Sequence, residues 1–335
     1  METMAQLVLT APGTAQWTDV PVPTLTGDDD ALVEPIAVGT CDLDTLINAG
    51  DFPLPLPYAL GHEFVGRVLA VGDAVRTVRI GDVVGVPFQI SCGACERCAR
   101  GLTSDCTSVY RGSAYGLGAI GGDRWGGAVS DVVRVPYADA MLVPVPAGVS
   151  PATVASLDNI PDAWRTVVPY LASASSGEDR RVLVIGGISV GLYAVAIARA
   201  FGAEVTYVDP SPRHRRIAEE LGATVDFEKG KFPITVNTSV SVEGLRRAIE
   251  CTEPGGVCTN SGPYIGDVAL PLGHMYTRGI RFVTGRVAAR PILPALLELV
   301  ADGRLDPSLV TATTADWADA PRAWSEHLDK LVLVR

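Results

Sequence analysis

His62 is the residue best equipped for chemistry in this chain. It lies in Leu60-Gly61-His62-Glu63-Phe64-Val65-Gly66, set among glycines and beside a carboxylate, in a sequence with 4 histidines. Cys41, upstream, is its candidate partner. Imidazole, thiolate and carboxylate are the donor types of three-ligand protein sites for Zn²⁺, which leave a fourth position open for water or substrate. On this stretch alone, a satisfied polar residue at the start of a strand is the favoured reading.

A second group is more specific. Cys92, Cys95, Cys98 and Cys106 form a C-x2-C-x2-C-x7-C array. Four thiolates so close cannot pair two by two without severe strain, yet they can surround one tetrahedral ion. With every position filled by protein, such an ion is structural. Zinc is expected there, an iron centre or a redox dithiol being the alternative. The total of 7 cysteines is odd and argues against a disulfide framework. Cys251 and Cys258 fall inside regular patterns and read as small buried apolar residues.

The third group is a turn. Arg181 to Ile185 is an apolar strand, followed by Gly186-Gly187-Ile188-Ser189-Val190-Gly191 and an alanine-rich helix from Leu192 to Phe201. The next strand, Glu204 to Val208, ends in Asp209. Strand, glycine turn, helix, and strand ending in an acid make the dinucleotide-binding unit. Gly186, Gly187 and Gly191 let backbone N–H groups approach a pyrophosphate at the helix N-terminus. Asp209 is suited to accept from the ribose hydroxyls and to repel a 2′-phosphate, which favours NAD(H) over NADP(H). Ile188 departs from the pattern, since it occupies the second glycine position of G-x-G-x-x-G.

The elements that must position these groups fall into two styles. Residues 5 to 90 read as short strands punctuated by glycine and proline, a barrel or sandwich-like β domain. Val143-Pro144-Val145-Pro146-Ala147-Gly148 is a plausible boundary, and Ser150-Pro151 then opens a helical stretch. Asp158 and Asp162 interrupt that stretch and read, without context, as solvated or capping residues. Beyond it, strands and helices alternate to about residue 301.

Composition sets the bounds. At 335 residues the chain exceeds the ~250–300 at which single cores stop growing, so two domains are expected. With 47% apolar and 19% charged residues it fits a well-buried α/β enzyme. The net charge of −11 and the lack of a basic stretch make nucleic acid and anionic membrane poor partners. The N-terminal residues lack a signal-peptide pattern and no apolar run approaches a membrane span, so a cytoplasmic protein is expected.

Together these motifs resemble the zinc-dependent medium-chain alcohol dehydrogenases, over essentially the whole chain. Gly61-His62-Glu63 through Gly72 and on to Gly81-Asp82, the four-cysteine lobe and the 186–191 turn follow one another at matching intervals. The resemblance implies a GroES-like catalytic domain over 1–150 with a structural zinc lobe at about 91–107. It implies a Rossmann doubly wound domain over 151–286 and a 287–335 segment returning to the first. Catalytic zinc would be held by Cys41, His62 and Asp158. Glu63 would be the carboxylate able to approach the metal, and Asp44 the acid that orients the imidazole. Two zinc ions and NAD per chain, a small alcohol or carbonyl substrate, and a homodimer or homotetramer are implied with it. Leu43 replaces the serine or threonine that relays the alcohol proton in many relatives, and Asp162 stands where some place a threonine. The rival readings are a zinc-independent NAD(P)H reductase of the same superfamily and a non-catalytic scaffold.

Overall fold

The computed structural model describes residues 2–52, 54–118, 125–171, 179–264, 266–310, 313–326 and 330–335. The chain forms two compact units. One comprises Met1–Pro161, Ala288–Gly303 and Thr311–Arg335, the other Asp162–Val287 and Arg304–Val310.

The first unit is built on a seven-stranded sheet. Its order is Thr313–Asp316, Leu331–Val334, Ala31–Gly39, Glu63–Val71, Val83–Val86 and Val143–Pro144, with Val133–Val135 also paired to Ala31–Gly39. A three-stranded sheet places Thr3–Ala11 between Thr14–Pro21 and Tyr58–Ala59. Ala31–Gly39 alternates buried and half-buried residues until its last turn inward, as a strand with one face on a core does. The register decides what the centre of the sheet can do. Gly39 pairs with Glu63 on one side and Val332 on the other, so three segments remote in sequence end side by side. Cys41 follows Gly39 directly and precedes the helix Asp42–Ala49, which Gly50 closes at φ 81°.

The second unit is a parallel sheet in the order Glu204–Val208, Arg181–Ile185, Phe232–Asn237, Thr252–Asn260, Arg281–Thr284. Its central strands Arg181–Ile185 and Phe232–Asn237 are buried almost throughout, as strands of a parallel sheet covered on both faces are. Val190–Ala200 is buried over nearly its whole length. The chain steps from Arg181–Ile185 to one neighbour and later to the other, so the turn after Ile185 lies at the switch point where doubly wound sheets take ligands.

The helical stretch expected after Ser150 is broken. Pro151–Val154 is one short helix and Asn159–Leu171 another. Asp158 lies in the break, because the chain turns there to bring Asn159 against Glu63. Cys258 is fully buried as expected, whereas Cys251, at a helix end, is only half-buried.

Candidate metal centres and nucleotide turn

The cysteine lobe is a local construction. Cys92, Cys95, Cys98 and Cys106 bring their sulfurs within 4.8 Å of one another. Cys95 and Cys106 Sγ are 3.9 Å apart, close to the ~3.8 Å edge of a tetrahedron with 2.3 Å zinc–sulfur bonds. Backbone N–H groups are aimed at the sulfurs. Cys95 N donates to Cys92 Sγ at 3.3 Å, Cys98 N to Cys95 Sγ at 3.5 Å, and Cys92 N to Cys106 Sγ at 3.4 Å. Such donors favour thiolate over thiol. The Cys98 N–H, with Thr107, lowers Cys95 to about 5, while burial and the neighbouring sulfurs push Cys98 up to about 12. A metal resolves that conflict by deprotonating all four. The donor set and its dimensions fit zinc.

The second centre is assembled from distant segments around His62. Gly61, at φ 89°, makes the bend that turns His62 inward; a Cβ there would meet Val129 N at 2.9 Å. His62 is 1% exposed, with the Phe88 ring edge-on at 5.7 Å. Its Nε2 lies 3.6 Å from Asp158 Oδ2, and its Nδ1 lies 3.9 Å from Asp44 Oδ1. Asp44 Oδ2 accepts from Cys41 N at 2.9 Å. His62 therefore belongs to two donor groups, one with Cys41 and Asp44, the other with Glu63 and Asp158. No such group among the described residues contains Cys41, His62 and Asp158 together, so Cys41 and Asp158 meet through the imidazole they share. The 3.6 Å separation of His62 and Asp158 is near the ~3.4 Å edge expected for two light ligands at ~2.1 Å from one zinc. Thiolate, imidazole and carboxylate are the right chemistry for that ion, and the His62–Asp158 pair has the spacing for it.

The electrostatics are those of a site poised for a cation. Burial opposes charge on His62, but Asp44 and then Asp158 and Glu63 raise it to about 9. Burial raises the Cys41 thiol well above its usual range, reinforced by the charges of Asp44, Asp158 and Glu63. Glu63 is lifted to about 7 by burial, against the pull of Lys330.

Glu63 is held from behind. Its Oε1 accepts from Asn159 N at 2.8 Å and its Oε2 from Lys330 Nζ at 2.8 Å. Lys330, 1% exposed, also donates to Thr40 O and, at 3.2 Å, to Asn159 Oδ1. Gly39 makes the room: a Cβ there would come within 2.9 Å of Glu63 Oε2.

In the second unit Gly186 and Gly187 are left-handed, at φ 72° and 91°. A Cβ on Gly187 would strike Thr238 Oγ1, and one on Gly191 would strike Gly186 O. The left-handed residues are thus 186 and 187, and Ile188, half-buried, has no positive φ. Asp209 is fixed at the end of its strand. Ser211 N donates to Oδ1 at 2.7 Å, His214 Nδ1 lies 3.1 Å from the same oxygen, and the Tyr207 hydroxyl is 3.3 Å from Oδ2. Tyr207 also reaches Gly187 O at 3.0 Å, tying the acid to the turn. Asp162 is ion-paired to Arg165.

Residues 27–147 match the alcohol dehydrogenase GroES-like domain family, and residues 189–302 match the zinc-binding dehydrogenase family. A medium chain reductase/dehydrogenase of an Acremonium species is 33% identical over 268 residues, covering 77% of this chain and 87% of that protein. The chain belongs to the zinc-binding medium-chain dehydrogenase/reductase family. An L-threonine 3-dehydrogenase of Edwardsiella ictaluri is 30% identical over 77% of this dehydrogenase and 74% of its own length. An alcohol dehydrogenase from Thermus sp. ATN1 superposes with a TM-score of 0.89 at 28% identity, over 99% of both chains. As a member of this family the dehydrogenase is an oxidoreductase that exchanges hydride between alcohols and a nicotinamide nucleotide.

Sequence reasoning missed Lys330 and Asn159 in this dehydrogenase. The only signal for Lys330 was a cation heading the apolar strand Leu331–Val334. Asn159 had none, since it acts through its backbone N–H as well as its side chain. His214 and Tyr207 were also missed, although a histidine five residues after the acid was visible.

Proposed function

We propose that Cys41, His62 and Asp158 hold a catalytic zinc, and that Cys92, Cys95, Cys98 and Cys106 hold a structural one. Gly186, Gly187, Gly191 and Asp209 would bind NAD(H) in preference to NADP(H). The observation that carries this reading is the approach of the buried His62 Nε2 to Asp158 Oδ2, 3.6 Å apart although the two residues are far apart in sequence. A zinc ion held by these residues would supply Lewis-acid polarisation of an alcohol oxygen, and a nicotinamide held at the 186–191 turn would supply the hydride acceptor.

The protein's own residues do the rest. Asp44 faces the imidazole nitrogen away from the metal and favours a proton on Nδ1, which leaves Nε2 free to ligate. Phe88 keeps water from one edge of the ring. Glu63 is kept from ligating by its bonds to Lys330 and Asn159, because leaving them would strand a buried cation. Leu43 packs against the apolar core, so the substrate proton leaves by a route that does not use position 43. Asp209 accepts from ribose hydroxyls and repels a 2′-phosphate.

The division into a catalytic domain over 1–150, a nucleotide domain over 151–286 and a returning segment over 287–335 belongs to the same reading, as does assembly into a homodimer or homotetramer. Four clustered free thiols favour a reducing compartment such as the cytoplasm. Metal analysis tests the core of it: two zinc ions per chain in the wild type and one in His62→Ala are expected, with nucleotide binding retained. One zinc in both proteins would refute the catalytic site.

A further inference from the structure

A cleft in the first unit shares no lining residue with the metal centres or the nucleotide turn. It measures about 370 Å³, the size of a small-molecule site, and all its lining residues fall within Met1–Pro161 and Ala288–Gly303. One wall is the strand Val143–Pro144 with Leu142 and Pro146 on either side of it. The other is the helix Leu293–Ala301, which contributes Pro294 and Leu297. Leu142 and Leu297 are buried, and the prolines, with φ fixed by their rings, give the walls little freedom to collapse.

Into this apolar cleft the chain places one cation, Arg290. Its Nε is buried and has no hydrogen-bond partner among the described residues. Burial lowers the pKa of the guanidinium, with no neighbouring carboxylate acting against it. The two carboxylates of the cleft do not answer that charge. Asp139 is committed to the 76–77 turn, where it accepts from Arg76 N at 2.9 Å, Thr77 N at 2.8 Å and Thr77 Oγ1 at 2.7 Å. Glu298 is exposed, where water and salt screen it, and is not paired with Arg290. The first turn of Leu293–Ala301 adds to the positive field, since Pro294 borders the cleft and no side chain caps that helix end. A buried donor without an acceptor is rare and costly, and this one belongs to a residue bordering a space that a ligand can fill.

We propose that this cleft is a binding site for a small carboxylate with an apolar tail. The two carboxylate oxygens accept from the planar fork of Arg290, which satisfies Nε, and the tail lies along Leu142, Pro144 and Leu297. An inorganic anion lacks the tail and an alcohol of the same length lacks the charge, so each meets half of the site.

Hexanoate is the probe, with 1-hexanol and inorganic phosphate as its uncharged and tailless counterparts. Each is titrated by calorimetry into the full chain purified with zinc, as wild type, Arg290→Met, Glu298→Lys and His62→Ala. A carboxylate bound to metal at the His62 centre would respond to His62→Ala, so that variant separates the two places. We expect Arg290→Met to weaken hexanoate roughly 10- to 100-fold, the worth of a hydrogen bond to a charged group, without lowering the melting temperature. Glu298→Lys, an exposed change, should tighten hexanoate by up to ~5-fold, the scale of an exposed ion pair, and decides the matter should Arg290→Met not fold. His62→Ala should leave hexanoate binding unaltered, and hexanol and phosphate should both bind more weakly than hexanoate. No hexanoate binding, or an affinity indifferent to both Arg290→Met and Glu298→Lys, would overturn the proposal. Binding lost in His62→Ala, or phosphate bound as well as hexanoate, would overturn it too.

Discussion

At the scale of single residues, the decisive contacts are buried charges. Lys330 and Glu63 are 1% and 0% exposed and 2.8 Å apart, so neither can shed its charge to water. Breaking such a pair by removing one partner costs roughly 3–5 kcal/mol, whereas removing both is far milder. Lys330→Met should therefore lower unfolding free energy by about that amount in urea titration, and Lys330→Met with Glu63→Gln should recover most of it. A second residue-scale outcome concerns pH. His62 is raised to about 9 in the folded protein, above its ordinary value near 6.5. In metal-free protein, the stability this contributes is present below about pH 6.5 and is lost as pH rises through about 9. Zinc must displace that proton, and the one on Cys41. Its affinity for this site should thus climb at least ~10-fold per pH unit up to about 9, measured by chelator competition. A flat profile would exclude His62 as a ligand.

At the scale of elements, two short segments each do one job. The lobe holding Cys92, Cys95, Cys98 and Cys106 has little apolar core of its own, so on the proposed zinc reading metal binding and folding would be one process there. Cys95→Ser should lose the structural zinc and lower the melting temperature by several degrees. Unchanged zinc content and melting temperature would overturn the structural site. In the nucleotide turn, backbone strain is borne by Gly186 and Gly187, while Ile188 follows at an ordinary φ. Its side chain still stands where the motif prefers none. Ile188→Gly should tighten NAD(H) by up to ~10-fold, about 1.4 kcal/mol, in calorimetric titration. Weaker binding would mean that Ile188 packs on the nucleotide rather than crowding it.

For the whole molecule, the candidate metal donors lie in one unit and the candidate nucleotide turn in the other, each unit with its own apolar core. The net charge of −11 adds a general repulsion toward a further phosphate. A ligand that binds only the folded state stabilises it by about 2.7 kcal/mol at a hundredfold excess over its dissociation constant. NAD should therefore raise the unfolding temperature more than NADP at equal concentration, and Asp209→Ala should narrow the gap by weakening NAD and admitting the 2′-phosphate. An equal rise with both nucleotides in the wild type would remove Asp209 from the selectivity argument. No described helix is long and apolar enough to cross a membrane.

What could be read in the amino-acid order alone was whatever is closed over a short stretch. The four-cysteine lobe spans few residues, so spacing by itself limits how its sulfurs can meet. The unit from Arg181 to Asp209 is legible for the same reason: strand period, glycine turn and helix period succeed one another without a long-range partner. His62 and Cys41 stood out by residue type, and Asp158 and Asp44 by their likeness to a known pattern. Tertiary structure decided which groups share an interior. Sheet register set Gly39 between Glu63 and Val332, and so delivered Lys330 to a carboxylate far away in the chain. The break before Asn159 turned a residue read as solvated or capping, Asp158, toward His62. A one-residue slip in the sheet pairings would turn such side chains to the other face, and nothing local in the sequence states the register. Donor types are written in the chain, but the distances between them are set by how distant strands align.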